Sequence, residues 1–192
     1  MAIAHGTISR ICLDYLNFQD LASTHQNQLG QGGHAEPEDD HYLLNYAANN
    51  WATHYTSQPN ELAKDSQNAA RILCNTSLPQ LSYWFPLYCD SRYIKSLSWT
   101  ELGIASLLGL TYVVEGFLIE GADINAQGGE YGTALRAASS GGYDQVVQML
   151  LNKGADINAQ GGDYGTALLA ASSEGHDQVV QMLLDKGAYI NA

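Results

Sequence analysis

The chain is 192 residues long, room for one or two domains, and its 45% hydrophobic and 15% charged content is enough to build a sizeable core. Twenty Asp and Glu against eight Lys and Arg give a formal charge of −12. That balance excludes phosphate-backbone binding driven by counterion release, and it excludes docking on anionic membranes. The eight cations are too scattered to form a local basic stripe, so neither nucleic acid nor membrane is an expected partner.

At the amino terminus, Met1 to Thr7 has no basic or apolar region of a signal peptide. No apolar run approaches the ~18–20 residues that span a bilayer. Cys12, Cys74 and Cys89 are odd in number, widely spaced and without a CxxC pair. Small buried thiols in a reducing compartment are therefore expected, and a cytoplasmic location with them. The sequon at Asn75-Thr-Ser77 is accordingly expected to be bare.

Thr7 is placed to cap a helix with Ile8, Ile11, Cys12, Tyr15 and Leu16 on one face. A mobile loop is expected at about 21–38, where Gln, Gly, His, Ser and Asn dominate. Asp39 or Asp40 then starts a longer helix with Leu44, Ala47, Ala48, Trp51 and Tyr55 along one stripe. A third helix is expected after Asn60 with Leu62, Ala69, Ala70 and Leu73 inward, weakened by Ser66 on that stripe. Pro79 and Pro86 bracket a short aromatic segment, Leu81 to Phe85. Residues 1–98 thus read as an irregular helical module whose aromatic residues fill its own core.

From position 99 the pattern changes to a repeat. Residues 121–153 return as 154–186 at an offset of 33, with five differences: Glu130/Asp163, Arg136/Leu169, Gly141/Glu174, Tyr143/His176 and Asn152/Asp185. A worn copy covers 99–120 and a truncated one 187–192. Within a unit, Thr133 is a helix cap and Leu135, Ala137 and Ala138 form an inner face. Gly141-Gly142 ends that helix and Asp144 favours the start of the next. Val146, Val147, Leu150 and Leu151 make the second helix's buried stripe. Lys153 and Gly154 close it, and the stretch from Asp156 to Tyr164 suits an exposed turn or hairpin. One unit cannot bury its apolar face alone, so the units must stack as a solenoid. The fold class expected is all-α.

These residues resemble the ankyrin repeats: the 33-residue period, the Gly-Ala-Asp-Ile-Asn-Ala loop, Gly-Thr-x-Leu, Ala-Ala, the closing Gly, and Val-Val-x-x-Leu-Leu. The family's Thr-Pro-Leu-His is here Thr133-Ala-Leu-Arg136 and Thr166-Ala-Leu-Leu169. The helix-starting Pro and the His that ties neighbouring loops are lost, so looser loops are expected. The resemblance implies partner contacts at loop tips and along the exposed side of the first helix. Carried over, these are Gln127, Glu130, Tyr131, Arg136 and Ser140, then Gln160, Asp163, Tyr164, Leu169, Ser173 and Glu174. Their acidic balance points to a cationic or polar protein surface. After Lys186 no polar unit covers Val179, Val180 and Leu183, so an uncapped terminal repeat that self-associates, or a gene product that continues, is also expected.

The first module has familiar wording too. His5 to Leu16, Leu44 to His54 and Tyr83 to Tyr88, running into degenerate repeats, look like the fungal NACHT–ankyrin proteins, in which a nucleotide-binding switch precedes a helical region and repeats. This chain resembles the span from that helical region onward, and it contains no Gly-x-x-x-x-Gly-Lys-Ser/Thr.

Catalytic constellations do not assemble on paper. Gly128 to Gly132 contains Glu130 and no Lys, unlike a phosphate-cradling loop. The six histidines form no HExxH and no zinc-ligand spacing. The serines of Ser139-Ser140 and Ser172-Ser173 sit in no Gly-x-Ser-x-Gly elbow. The expectation is a protein–protein interaction module without catalytic residues, metal or cofactor, serving as the sensing or scaffold part of a NACHT-type receptor. The alternative is a small helical hydrolase or metal enzyme that bears repeats and uses His and Asp residues of the first module.

Overall fold

Helix-forming stripes account for most of the chain. The structure, a computed structural model, describes residues 2–17, 39–95, 98–161 and 165–190. It divides into two compact units, Met1–Ile94 and Lys95–Ala192. The loop expected at about 21–38 lies outside the described residues. No helix among those described is long and apolar enough to cross a membrane.

The first unit contains α1 (Ala2–Asn17), α2 (Asp39–Thr56), α3 (Asn60–Asp65), α4 (Gln67–Cys74) and α5 (Pro79–Asp90). Helix α1 packs on α2, α4 and α5. The aromatic core forms where the stripe of α2 meets α5: the Trp51 and Trp84 rings meet edge-on at 5.3 Å, and both residues are fully buried. Burying an indole N–H calls for an acceptor, and Trp84 Nε1 donates to the Leu73 carbonyl at 3.1 Å. Tyr55 makes the same adjustment by donating its hydroxyl to the Ala63 carbonyl at 2.7 Å. All five residues of the expected α2 stripe are buried.

Three local expectations need correction. Thr7 does not start α1, which begins at Ala2, and Ile11 is 55% exposed. The buried stripe is Ser9, Cys12, Leu13 and Leu16, the same helical period turned by one residue. The third helix is broken in two at Ser66, and Leu62 is 41% exposed while Ala63 is buried, its carbonyl accepting from the Tyr55 hydroxyl. Finally, Pro79 and Pro86 do not flank the aromatic segment as breaks. Pro79 occupies the first turn of α5, where its missing N–H is harmless, and Pro86 lies inside the helix.

The second unit contains three helix pairs: α6 (Glu101–Leu107) with α7 (Thr111–Ile119), α8 (Ala134–Ser140) with α9 (Asp144–Asn152), and α10 (Ala167–Ser173) with α11 (Asp177–Asp185). The worn copy keeps the same lengths as the clear ones, 7 and 9 residues. Helices α6, α8 and α10 stack in one row and α7, α9 and α11 in another. A threonine caps each inner helix: Thr100 accepts from Gly103 N, Thr133 from Arg136 N and Thr166 from Leu169 N. Fully buried alanines at 105, 137, 138 and 171 keep the inner row close. The result is an all-α repeat solenoid.

The loops are tied rather than loose. Asn125 Oδ1 accepts from the Asp156 backbone N–H at 2.8 Å, and Asn158 Oδ1 repeats the bond to Tyr189 N–H at 2.8 Å. Asparagine thus provides the link between neighbouring loops that the missing histidine was expected to provide. In the first full copy the loop closes as a hairpin, with Gly128 N–H donating to Gly132 O at 2.7 Å.

Candidate functional site

Near-identical copies act as controls for one another, since burial that differs at equivalent positions must come from neighbours rather than from sequence. Valine 147 is fully buried whereas Val180, its equivalent, is half-buried. Ser139 is fully buried whereas Ser172 is exposed, and the half-buried Ser140, Gly142, Asp144 and Gln148 have exposed equivalents in Ser173, Gly175, Asp177 and Gln181. On the second helix these positions are spaced i, i+3 and i+4, one stripe of the cylinder. The surface of α8 and α9 that receives the next helix pair is therefore, on α10 and α11, an open face.

The expected contact residues divide accordingly. Leu169 is 56% exposed and stands on the open face with Ser173 and Glu174. Of their counterparts, Arg136 is 1% exposed and Ser140 and Gly141 are half-buried. The expectation that Arg136 faces a partner is corrected: the same helix position is open at the end of the stack and closed inside it. Ser140 is half-buried, and its carbonyl already receives a ring nitrogen, His176 Nε2, at 2.8 Å.

At the loop edge, Tyr131 is buried against Trp99, ring centroids 6.0 Å apart, and so is part of the packing rather than an exposed anchor. Glu130 is half-buried and accepts the Lys95 backbone N–H at 2.6 Å through Oε2. Gln127 and Gln160 are exposed. Asp163 and Tyr164 lie outside the described residues. A groove of about 520 Å³ runs between α9 and α11, with Met149 and Met182 among its lining residues.

The first unit holds a polar contact that sequence reading missed. His5 Nδ1 lies 3.0 Å from His54 Nδ1, and the Tyr46 hydroxyl lies 2.8 Å from His54 Nε2. Two imidazoles facing at that distance share one proton between them. Burial, and then the charge of His5, hold the His54 pKa below its usual value. Because His5 and His54 sit on different helices, no local spacing announced the pair. All three cysteines are buried and in no disulfide, and burial raises the Cys12 thiol. Among the described residues no three His, Cys, Asp or Glu side chains gather in a metal-binding group.

Sequence reading also missed Gly175 and Asp177 as members of the open face; of the three residues expected to be uncovered, Val180 is half-buried while Val179 and Leu183 are fully buried. The available signal was glycine recurring at 109, 142 and 175, with a ring-bearing residue following the second and third.

Compared with curated proteins, the chain finds no match. Compared with family models, residues 102–192 match ankyrin repeats (3 copies), so the stacked pairs of the second unit form an ankyrin-repeat solenoid.

Proposed function

We propose that the chain is a protein-binding module that grips its partner through the open face of α10–α11 and the exposed loop tips around Gln127 and Gln160. Ankyrin repeats are generally protein–protein interaction modules and typically non-catalytic. The observation that carries the reading is Leu169: a large apolar side chain, 56% exposed, where the preceding copy has a covered residue. Around it Ser173, Glu174 and Asp177 supply a polar, acidic rim suited to a cationic protein surface. Leu169 with its polar rim has the make-up of an interface, an apolar centre with polar edges.

The module serves as the sensing or scaffold part of a NACHT-type signalling receptor in the cytoplasm, with the first unit joining sensor to switch. The helix-length wording of His5 to Leu16, Leu44 to His54 and Tyr83 to Tyr88 supports that role, and three buried cysteines in no disulfide suit a reducing compartment. The test is affinity capture with the full chain, repeated with Leu169→Glu and with Gln127→Ala/Gln160→Ala. Loss of the captured protein in either variant is expected; identical captures with all three chains would refute the module. For the receptor role, the gene is read upstream for a Gly-x-x-x-x-Gly-Lys-Ser/Thr loop, and a gene without one would refute it.

A further inference from the structure

We propose that His5 and His54 form a pH latch in the first unit. At neutral pH one shared proton clasps the first turns of α1 to the last turn of α2, and a second proton, taken up below pH ~6.5, forces the clasp open. The latch is a property of the first unit and is independent of any partner that the repeats hold. Its ground is the way the two rings meet. Their centroids lie 5.3 Å apart and their Nδ1 atoms 3.0 Å, a difference equal to the two ring radii, so the nitrogens are aimed head-on along one line. Zinc does not fit on that line, since it would need about 4 Å between the nitrogens, at ~2.0–2.1 Å from each. A proton does fit, as Nδ1–H of one ring donating to the bare Nδ1 of the other. The Tyr46 hydroxyl, 2.8 Å from His54 Nε2, serves either arrangement. It accepts from Nε2–H when His54 Nδ1 is the acceptor, and donates to Nε2 when His54 Nδ1 carries the proton.

The two protonation steps differ in kind. A first added proton charges one ring at its outer nitrogen and leaves the Nδ1–H to Nδ1 bond in place. A second sets N–H against N–H and cation against cation at 3.0 Å, and no rotation of the shared proton relieves it. The formal charges on the surrounding helices are of both signs: Arg10 and Asp14 on α1, Glu61, Lys64 and Asp65 on α3, Arg71 on α4 and Asp90 on α5. Asp39 and Asp40 start α2, about four turns from His54. The charge that acts on His54 is that of His5. What the clasp holds is otherwise weakly held. From Ala4 to Arg10 the buried residue is Ser9, and its hydroxyl finds no hydrogen-bond partner. The apolar anchors Cys12, Leu13 and Leu16 all belong to the second half of α1. Opening the pair therefore frees the first turns while the second half stays packed.

The experiment is amide hydrogen exchange on the full chain at about pH 7.5 and about pH 5, with protection corrected for the intrinsic rate at each pH. The reading is the protection of Gly6 to Arg10 relative to that of Leu13 to Asn17 on the same helix. It is expected to fall about tenfold at the lower pH, the factor supplied by one hydrogen bond between helices. In His54→Asn and in His5→Asn, which leave the buried stripe of α1 intact, the ratio is expected to be the same at both pH values. A constant ratio in the unaltered chain, or an equal fall in His54→Asn, overturns the latch. A second measurement needs no variant: ring-nitrogen shifts of the histidines, followed by NMR through the same range. His5 is expected to take the first proton and His54 the second, with the fall in protection following the second. Independent titration of both rings in a single step overturns the latch as well.

Discussion

Replacing Gly142 by alanine and, in a separate chain, Gly175 by alanine applies one chemical change to two copies of the same turn. Both glycines are left-handed, so both variants lose about 1–2 kcal/mol to the strain of an L side chain there. Only at position 142 is the space occupied. The added Cβ would lie 2.5 Å from His176 Nδ1 and 2.7 Å from Cε1, so the ring must leave. Its departure forfeits the hydrogen bond to Ser140, net about 0.5–1.5 kcal/mol, and overpacks the joint by about 1–3 kcal/mol. Gly142→Ala is therefore expected to be more destabilising than Gly175→Ala by about 1.5–4.5 kcal/mol. Urea unfolding followed by far-ultraviolet circular dichroism, fitted for the repeat transition, measures the difference. Losses equal within about 0.5 kcal/mol would refute the argument that the ring is seated on one glycine and absent from the other.

Other substitutions probe other links. Thr133→Ala and Thr166→Ala each remove a helix cap and are expected to lower stability by about 1 kcal/mol in the same urea assay; unchanged midpoints would refute the capping bonds. Trp84→Ala empties the middle of the first unit's core and is expected to lose about 3–5 kcal/mol, read from the melting of the full chain, with a loss below about 1 kcal/mol refuting its place there. His54 resists protonation in the fold, whereas in the unfolded chain it protonates near pH ~6.5. The unfolded state thus binds more protons as pH falls, so this contribution is complete above pH ~6.5 and is lost as pH drops toward the lowered folded value. Thermal melts between about pH 5 and 7 should show a shallower slope for His54→Asn, and identical slopes would refute the coupling.

How far the sequence could be read follows from the range of each interaction. The helix pairs were legible because their period, threonine caps and Val-Val-x-x-Leu-Leu stripes are local, and the α2 stripe of the first unit was legible for the same reason. The register of α1 was not, since Ser9, Cys12, Leu13 and Leu16 compete with Ile8, Ile11 and Leu16 for the same helical period. Only packing on three other helices decides between them. At the candidate site the correct positions were named but their equivalence was overstated. Arg136 and Leu169 occupy one place in the repeat, and whether that place is surface depends on a neighbour that no single unit encodes. Glu130 and Tyr131 read as loop-tip contacts and instead bind to Lys95 and Trp99, residues lying ahead of the first full copy.

The asparagine link between loops has a consequence for how such a chain can change length. Each joint takes its acceptor from one copy, Asn125 or Asn158, and its donor from the main chain 31 residues on. Adding or deleting one whole period carries a complete half-joint in at one end and out at the other, so the new neighbours meet with the same bond. Any other change of length strands an amide and an acceptor out of step. Recombination between the near-identical stretches therefore yields folded products when it moves in whole periods, and the family of lengths open to this chain is a ladder with one rung spacing.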